Sequence, residues 1–298
     1  MASPGPVALV GSGEYLDAMV EVDRALLAER APRAVFLPTA SAEEGEDTVR
    51  YWLELGGRHF ERLGVEPVPL AVLTREDASR EELAALVAGA GLVYLSGGNP
   101  GYLASTLRGT VVWAAILAAW HAGAALAGCS AGACALSYAA EDVRAARAER
   151  AAGGAAGRTV AADAAGGTAG RTVAAGAAPA AQAAPSTSGL AGQHAAGAAA
   201  RSSEATGLAV IPDLAVIPHF DRMAQWVPDF VERYLARVPP EVTVVGVDED
   251  TAIVTTEDAG PGVRSFVVAG RQSAWVIDAG GRRTEYPSGS TLSLLARR

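Results

Sequence analysis

Residues 128–133 read "GCSAGA", a G-x-S-x-G pattern centred on Ser130. A serine hydroxyl is a weak nucleophile until a base removes its proton, and a sharp strand-to-helix turn exposes it for attack. Such a turn is tight and strained, so its neighbours must be small, and Gly128, Ala131, Gly132 and Ala133 are. The start of the following helix directs N–H groups toward the serine and favours developing negative charge. In a chain with 34 glycines the pattern also arises by chance, so it carries weight only with partners. Cys129 is the rival nucleophile, but it faces the other way at such a turn and lacks the symmetric glycine frame.

The partners must be a base and an acid. There are 4 histidines. His59 lies in a helical pattern between Arg58 and Glu61, a solvated position. His121 falls at a helix end, as a cap or partly buried, and His194 lies in a low-complexity stretch. His219, in "PHFDR" (218–222), follows an apolar strand, in the same sheet as the serine, and sits on a loop. The acid that fixes the histidine tautomer has four candidates: Glu249 in "GVDEDTA" (246–252), Asp221, Glu141 and Asp142. Spacing does not select among them. Glu249 ends a β run, a rigid place, and reaches the ring from another strand. Asp221 shares a loop with His219 and in extended backbone points the same way, beside the ring, where it would meet a cationic end of the substrate. "SGGNP" (96–100) follows a further strand. Glycine lets backbone N–H groups approach a carbonyl oxygen closely, so the Gly98 and Ala131 N–H groups form the expected oxyanion pair, with Asn99 as a substrate contact. The same five residues also make an ordinary Gly-Gly-Asn-Pro turn.

The elements that position these residues alternate. Apolar runs at "PVALVG" (6–11), "AVFLPTA" (34–40), "GLVYLSGG" (91–98) and 124–128 read as strands, and "VEPVPLAVL" (65–73) as extended. Helical patterns cover "AMVEVDRALLAER" (18–30), 48–64 and 80–90. Strands alternating with helices imply crossovers and a parallel sheet, and unbroken apolar runs suit strands buried on both faces. A sheet of this kind gathers its functional loops past the carboxyl ends of its strands, where "SGGNP", "GCSAGA" and "PHFDR" fall. After 214–217 a helix follows, perturbed by Pro228, and then β-branched runs that predict late antiparallel strands.

From 143 to 205 the chain is mostly Ala and Gly, with "AGRTVAA" at 156–162 and again at 169–175. Without large apolar side chains it does not offset the entropy of ordering, so a disordered insertion within one domain spanning 1–298 is expected. Thr110–Ala140 is long and apolar enough to imitate a membrane span, but Gly123, Gly128, Gly132 and His121 break it into buried helix, strand and helix.

Composition narrows the class. Of the 298 residues 50% are hydrophobic, enough for a large core, and the net charge of -9 argues against nucleic acid and anionic membrane as partners. Cys 2 is too few for a disulfide framework, and no signal-peptide pattern opens the chain, so a cytoplasmic protein is expected. No His/Cys/carboxylate cluster has ligand spacing, so neither metal nor other cofactor is expected. The oligomeric state stays open, a homodimer included.

In order, "ALVGSGEY", "AVFLPTAS", "YLSGGNPGYLASTLRGT", "GAALAGCSAGACAL", "LAVIPHFDR" and "VVGVDEDTAIV" resemble the dipeptidase E and cyanophycinase family of serine peptidases. The resemblance covers nearly the whole chain outside 143–205. It implies a class I glutamine amidotransferase-like fold, a three-layer α/β sandwich with a mostly parallel central sheet. It also implies Ser130 as nucleophile, His219 as base and an acid whose position varies between members. Cyanophycinases carry an acidic residue and a glutamine after the double glycine, whereas this chain has Asn99 and Pro100, which points away from cyanophycin. The expected reaction is hydrolysis of a small peptide or isopeptide bond through an acyl-enzyme. Two rivals stand beside it. An α/β-hydrolase esterase also uses G-x-S-x-G but places its histidine after the last strand, and a binding module on the same fold would not react with a serine-directed fluorophosphonate.

Overall fold

The computed structural model describes residues 3–140, 206–256 and 262–296. The expectations for 143–205, and the candidates Glu141, Asp142 and His194, lie outside the described residues. The strands are β1 (Val7–Val10), β2 (Arg33–Leu37), β3 (Glu66–Pro69), β4 (Leu92–Leu95), β5 (Ala125–Cys129), β6 (Leu214–Ile217), β7 (Thr243–Val247), β8 (Thr251–Thr255), β9 (Val263–Gly270), β10 (Ser273–Ile277), β11 (Arg283–Pro287) and β12 (Thr291–Leu295). The helices are α1 (Val20–Leu27), α2 (Glu46–Arg62), α3 (Glu81–Ala85), α4 (Pro100–Leu107), α5 (Val111–His121), α6 (Ala131–Leu136), α7 (Phe220–Trp226) and α8 (Phe230–Arg237).

An 8-stranded sheet runs β12-β9-β8-β1-β5-β4-β2-β3. From β3 to β1 its pairs are parallel, and from β1 to β12 antiparallel. Side-chain alternation splits each central strand between two cores. Val7 and Leu9 of β1, Val35 and Leu37 of β2, and Val93 and Leu95 of β4 face one side with α4, α5 and α6. Ala8 and Val10, Ala34 and Phe36, and Leu92 and Tyr94 face the other with α1 and α2. Both faces are therefore apolar, which is why these strands lack a polar alternation. Helices cover the parallel part of the sheet on both faces, as expected of the sandwich.

A second, 4-stranded sheet of order β11-β10-β7-β6 was not foreseen. Its Leu214, Val216, Val245 and Val247 join the core under α6, while Ala215, Ile217 and Val244 pack against α7 and α8. The strand that delivers His219 thus belongs to this sheet and not to the serine's, which corrects the expectation of a common sheet. The correction has a physical cause: β6 pairs with β7 in parallel, whereas the position beside β1 is taken by the antiparallel β8. Pro228 splits the expected single helix into α7 and α8, because proline cannot donate to the turn before it. Strands β11 and β12, with mixed polar sequences, carry too weak an alternation to have been read.

The apolar stretch from Thr110 becomes α5, β5 and α6. Among the described residues no single helix is long and apolar enough to cross a membrane, and the pair α4 and α5 is bent by 93°.

Candidate active site

Strand β5 runs directly into Ser130, whose N–H donates to Val10 O at 2.9 Å and whose carbonyl accepts from Cys134 N at 3.1 Å to open α6. The turn between them forces Ser130 to φ 49° and ψ −104°. A side-chain-bearing residue in such a conformation costs about 1–3 kcal/mol and persists only where the surroundings hold it. The surroundings are the two glycines of the motif. A Cβ at Gly128 would lie 2.4 Å from Gly132 C, and one at Gly132 would lie 2.2 Å from Leu95 O. The pattern G-x-S-x-G is thus a steric requirement for bringing α6 back over β4 and β5.

His219 follows β6 in the left-handed region, φ 50° and ψ 39°, and its ring turns back toward β5. Nε2 lies 3.0 Å from Ser130 Oγ, and Nδ1 lies 3.0 Å from Glu249 Oε1. A carboxylate only accepts, so the imidazole hydrogen belongs on Nδ1 and leaves Nε2 as acceptor for the serine hydroxyl. Trp226 packs beside the imidazole, 5.3 Å between ring centroids.

Glu249 sits on the turn between β7 and β8 and is held on every side. Its N–H donates to Asp221 Oδ1 at 2.9 Å. Its carbonyl accepts from Gln272 Nε2 at 2.9 Å and Thr251 Oγ1 at 3.0 Å. Arg222 Nε approaches Glu249 Oε2 at 3.3 Å and Asp221 Oδ2 at 3.2 Å. The neighbouring Asp248 is buried and accepts from Trp275 Nε1 at 3.0 Å and Ser273 N at 3.2 Å. Burial raises the Asp248 carboxyl above its ordinary range, and those hydrogen bonds partly offset the rise.

Of the expected residues, the structure joins Ser130, His219 and Glu249 into one hydrogen-bonded chain. Asp221 lies beside them with both carboxylate oxygens engaged by Glu249 N and Arg222, so it braces the acid where a substrate contact was expected. Asn99 is the N-cap of α4: Oδ1 accepts from Tyr102 N at 3.0 Å, and Nδ2 donates to Glu43 Oε2 at 3.2 Å. Its polar groups are spent on the fold, which explains Asn before Pro100 better than a substrate contact does. Among the described residues, neither the Gly98 N–H nor the Ala131 N–H donates to another group. A Cβ at Gly97 would lie 3.5 Å from Ser130 Cβ, so the "SGGNP" loop abuts the serine.

Two histidines differ from expectation. His59 is buried at 2% exposure, and its Nε2 meets Asp23 Oδ2 at 2.8 Å. Its helix α2 turns that face onto the sheet, so its charged sequence neighbours misled. His121 ends α5 as expected but is exposed, its ring against Trp120.

Cys129 points away from Ser130, fully buried, and donates to Glu14 Oε2 at 2.8 Å. Burial first, and then the nearby Glu14 carboxyl, push its thiol well above the ordinary range, so it is a poor nucleophile. Glu14, Tyr15 and Ser41 were not singled out from sequence. All three reach the "SGGNP" loop, and a signal existed: Glu14 follows an apolar strand at its carboxyl end, where such folds gather their polar work.

The profile of Peptidase family S51 matches residues 7–149. The chain is similar to the crystal structure of a peptidase from an acI-B1 Actinobacterium, with 30% identity and a TM-score of 0.70, covering 98% of this chain and 97% of that one. It is similar in fold, at 15% identity and TM-score 0.53, to a structure from Listeria monocytogenes EGD-e provisionally named peptidase E, covering 90% of this chain and 99% of that one. No curated protein matches. The chain belongs to peptidase family S51, and its mixed α/β fold is that of its peptidase neighbours.

Proposed function

We propose that this S51 peptidase is a serine-type enzyme that hydrolyses a small peptide or isopeptide bond through an acyl-enzyme. The observation that carries the reading is the unbroken chain Glu249–His219–Ser130, with 3.0 Å at each link. His219 Nε2 takes the hydroxyl proton as Ser130 Oγ bonds to the substrate carbonyl carbon. Glu249 stabilises the imidazolium that results, and the Gly98 and Ala131 N–H groups receive the oxyanion. His219 then gives the proton to the leaving amine as the C–N bond breaks. A water, deprotonated by the same Nε2, cleaves the ester and returns Ser130 to its starting state. Cys129 has no part in this, being buried on the opposite side of the elbow.

Turnover of a dipeptide panel that includes Asp-X and β-aspartyl members, by the wild type and by Ser130→Ala, tests the proposal. Hydrolysis of one or more members that disappears in a folded Ser130→Ala supports it. Retained turnover in that variant contradicts it.

A further inference from the structure

The oxyanion pair is useful only if the Gly98 N–H has a fixed direction, and the groups that fix it lie outside the triad. Gly97 C=O and Gly98 N–H belong to one trans peptide unit, so they point in opposite directions. Ser41, fully buried, donates from Oγ to Gly97 O at 2.8 Å. Fixing the carbonyl on one side of the unit fixes the N–H on the other. The preceding unit is held as well: Gly97 N–H donates to Glu14 Oε1 at 2.9 Å. The second oxygen of that carboxyl accepts the Cys129 thiol at 2.8 Å, and Cys129 immediately precedes the nucleophile. One buried carboxyl, 6% exposed, therefore ties the oxyanion loop to the serine elbow. Tyr15 adds a third strut, its hydroxyl 2.8 Å from Ser96 Oγ. The loop packs against the backbone at Ala40 so closely that only glycine fits there, since a Cβ at Gly98 would lie 2.2 Å from Ala40 O.

We propose that Ser41 and Glu14 are positioning residues for the hydrolysis, Ser41 holding the Gly97–Gly98 peptide and Glu14 the Ser96–Gly97 peptide before it, so that the Gly98 N–H faces the carbonyl oxygen that Ser130 attacks. The inference rests on the serine-type reading above. Neither residue touches the substrate; each acts through the backbone it holds. Their effect is confined to the stage at which negative charge develops on the oxygen, because a misdirected N–H weakens the transition state and leaves substrate binding alone.

The test compares Ser41→Ala and Glu14→Gln with wild type on the best dipeptide from the panel. Ile116→Val, a buried core change remote from the site, serves as a control for loss of stability. Readouts are kcat, KM and the inhibition constant of a peptide aldehyde, which forms a tetrahedral adduct with the serine. Losing one oxyanion donor outright costs about 10²–10³ in kcat, so a misaimed donor should cost about 10-fold in Ser41→Ala and about 10- to 100-fold in Glu14→Gln. KM should stay within about two-fold, and the aldehyde constant should rise in step with the loss in kcat/KM. Wild-type kcat in folded Ser41→Ala overturns the proposal, as does a loss confined to KM or one no larger than in the Ile116→Val control. Ser41→Ala removes a single atom, so it decides the matter even if Glu14→Gln does not fold. Ser130→Ala is run alongside. Turnover there contradicts the serine reading, whereas an inactive Ser130→Ala beside fully active Ser41→Ala and Glu14→Gln contradicts the clamp alone.

Discussion

Ser130 stands at φ 49°, ψ −104°, and its strained backbone separates two adjacent side chains by role. Its own hydroxyl faces His219, while the Cys129 thiol faces the buried Glu14 carboxyl. Iodoacetamide at pH 8 should therefore leave Cys129 unmodified in the native protein and alkylate it after denaturation, as read by peptide mass spectrometry; native alkylation would contradict its burial. The acid can be tested at the same scale. Glu249→Gln keeps the shape but offers a neutral amide to Nδ1, and the loss of the oriented, charge-stabilised imidazole should lower kcat by about 10²- to 10⁴-fold. Asp221→Asn still offers an oxygen to Glu249 N–H and should lower kcat less than about 10-fold, with KM little changed. Steady-state kinetics of the two variants check this, and a larger collapse in Asp221→Asn would reverse the assignment. Ser130, His219 and Glu249 were legible because each follows a β run and has a residue type suited to one step of acyl transfer. The bracing contacts of Asp221 and Asn99 were not, because whether a side chain spends its polar atoms on substrate or on nearby backbone depends on loop geometry that spacing does not encode.

Elements set the site by their ends. The loop after β1 gives Glu14, that after β4 gives Gly98, β5 gives Ser130, β6 gives His219 and β7 gives Glu249. Parallel strands β1, β4 and β5 bring the first three together, and the second sheet brings the last two over α6. The first group was legible in the βα alternation. The existence of a second sheet was not, because strands buried on both faces have the same apolar run whichever partner they join. The α1–α2 face shows the same limit at His59. Burial raises the Asp23 carboxyl, and the hydrogen bond and charge of His59 lower it. His59→Leu should cost about 3 kcal/mol by leaving that carboxyl buried without its partner. In the variant the protonated carboxyl stabilises the fold fully below the unfolded range near 4, and that contribution is lost as pH rises through the raised folded value, at about 1.4 kcal/mol per pH unit. Chemical denaturation of both proteins between pH 4 and 7 should show the variant's deficit growing with pH; a constant deficit would contradict the account.

At the scale of the molecule, the described residues form a continuous core on either side of 143–205. Gly207 N donates to Tyr138 O at 2.9 Å, and Ala140 N donates to Thr206 Oγ1 at 3.0 Å, so the described residues that flank that stretch meet. Replacing 143–205 by a short Gly/Ser linker should therefore leave a folded protein with kcat/KM within about three-fold of the full chain, because closing a shorter loop there adds no entropic cost. Loss of the cooperative melting transition in the deletion would contradict this. The composition break that marks the stretch was plain in the sequence; the meeting of the residues that flank it was not, since it depends on β6 returning beside α6. The central claim, that Ser130 is the nucleophile of this peptidase, is tested most directly by mass spectrometry of the intact chain after exposure to a fluorophosphonate, followed by peptide mapping. The expected result is a single adduct, located on Ser130 and absent from folded Ser130→Ala. An adduct on another residue, or none in an enzyme that turns over peptide, would contradict it.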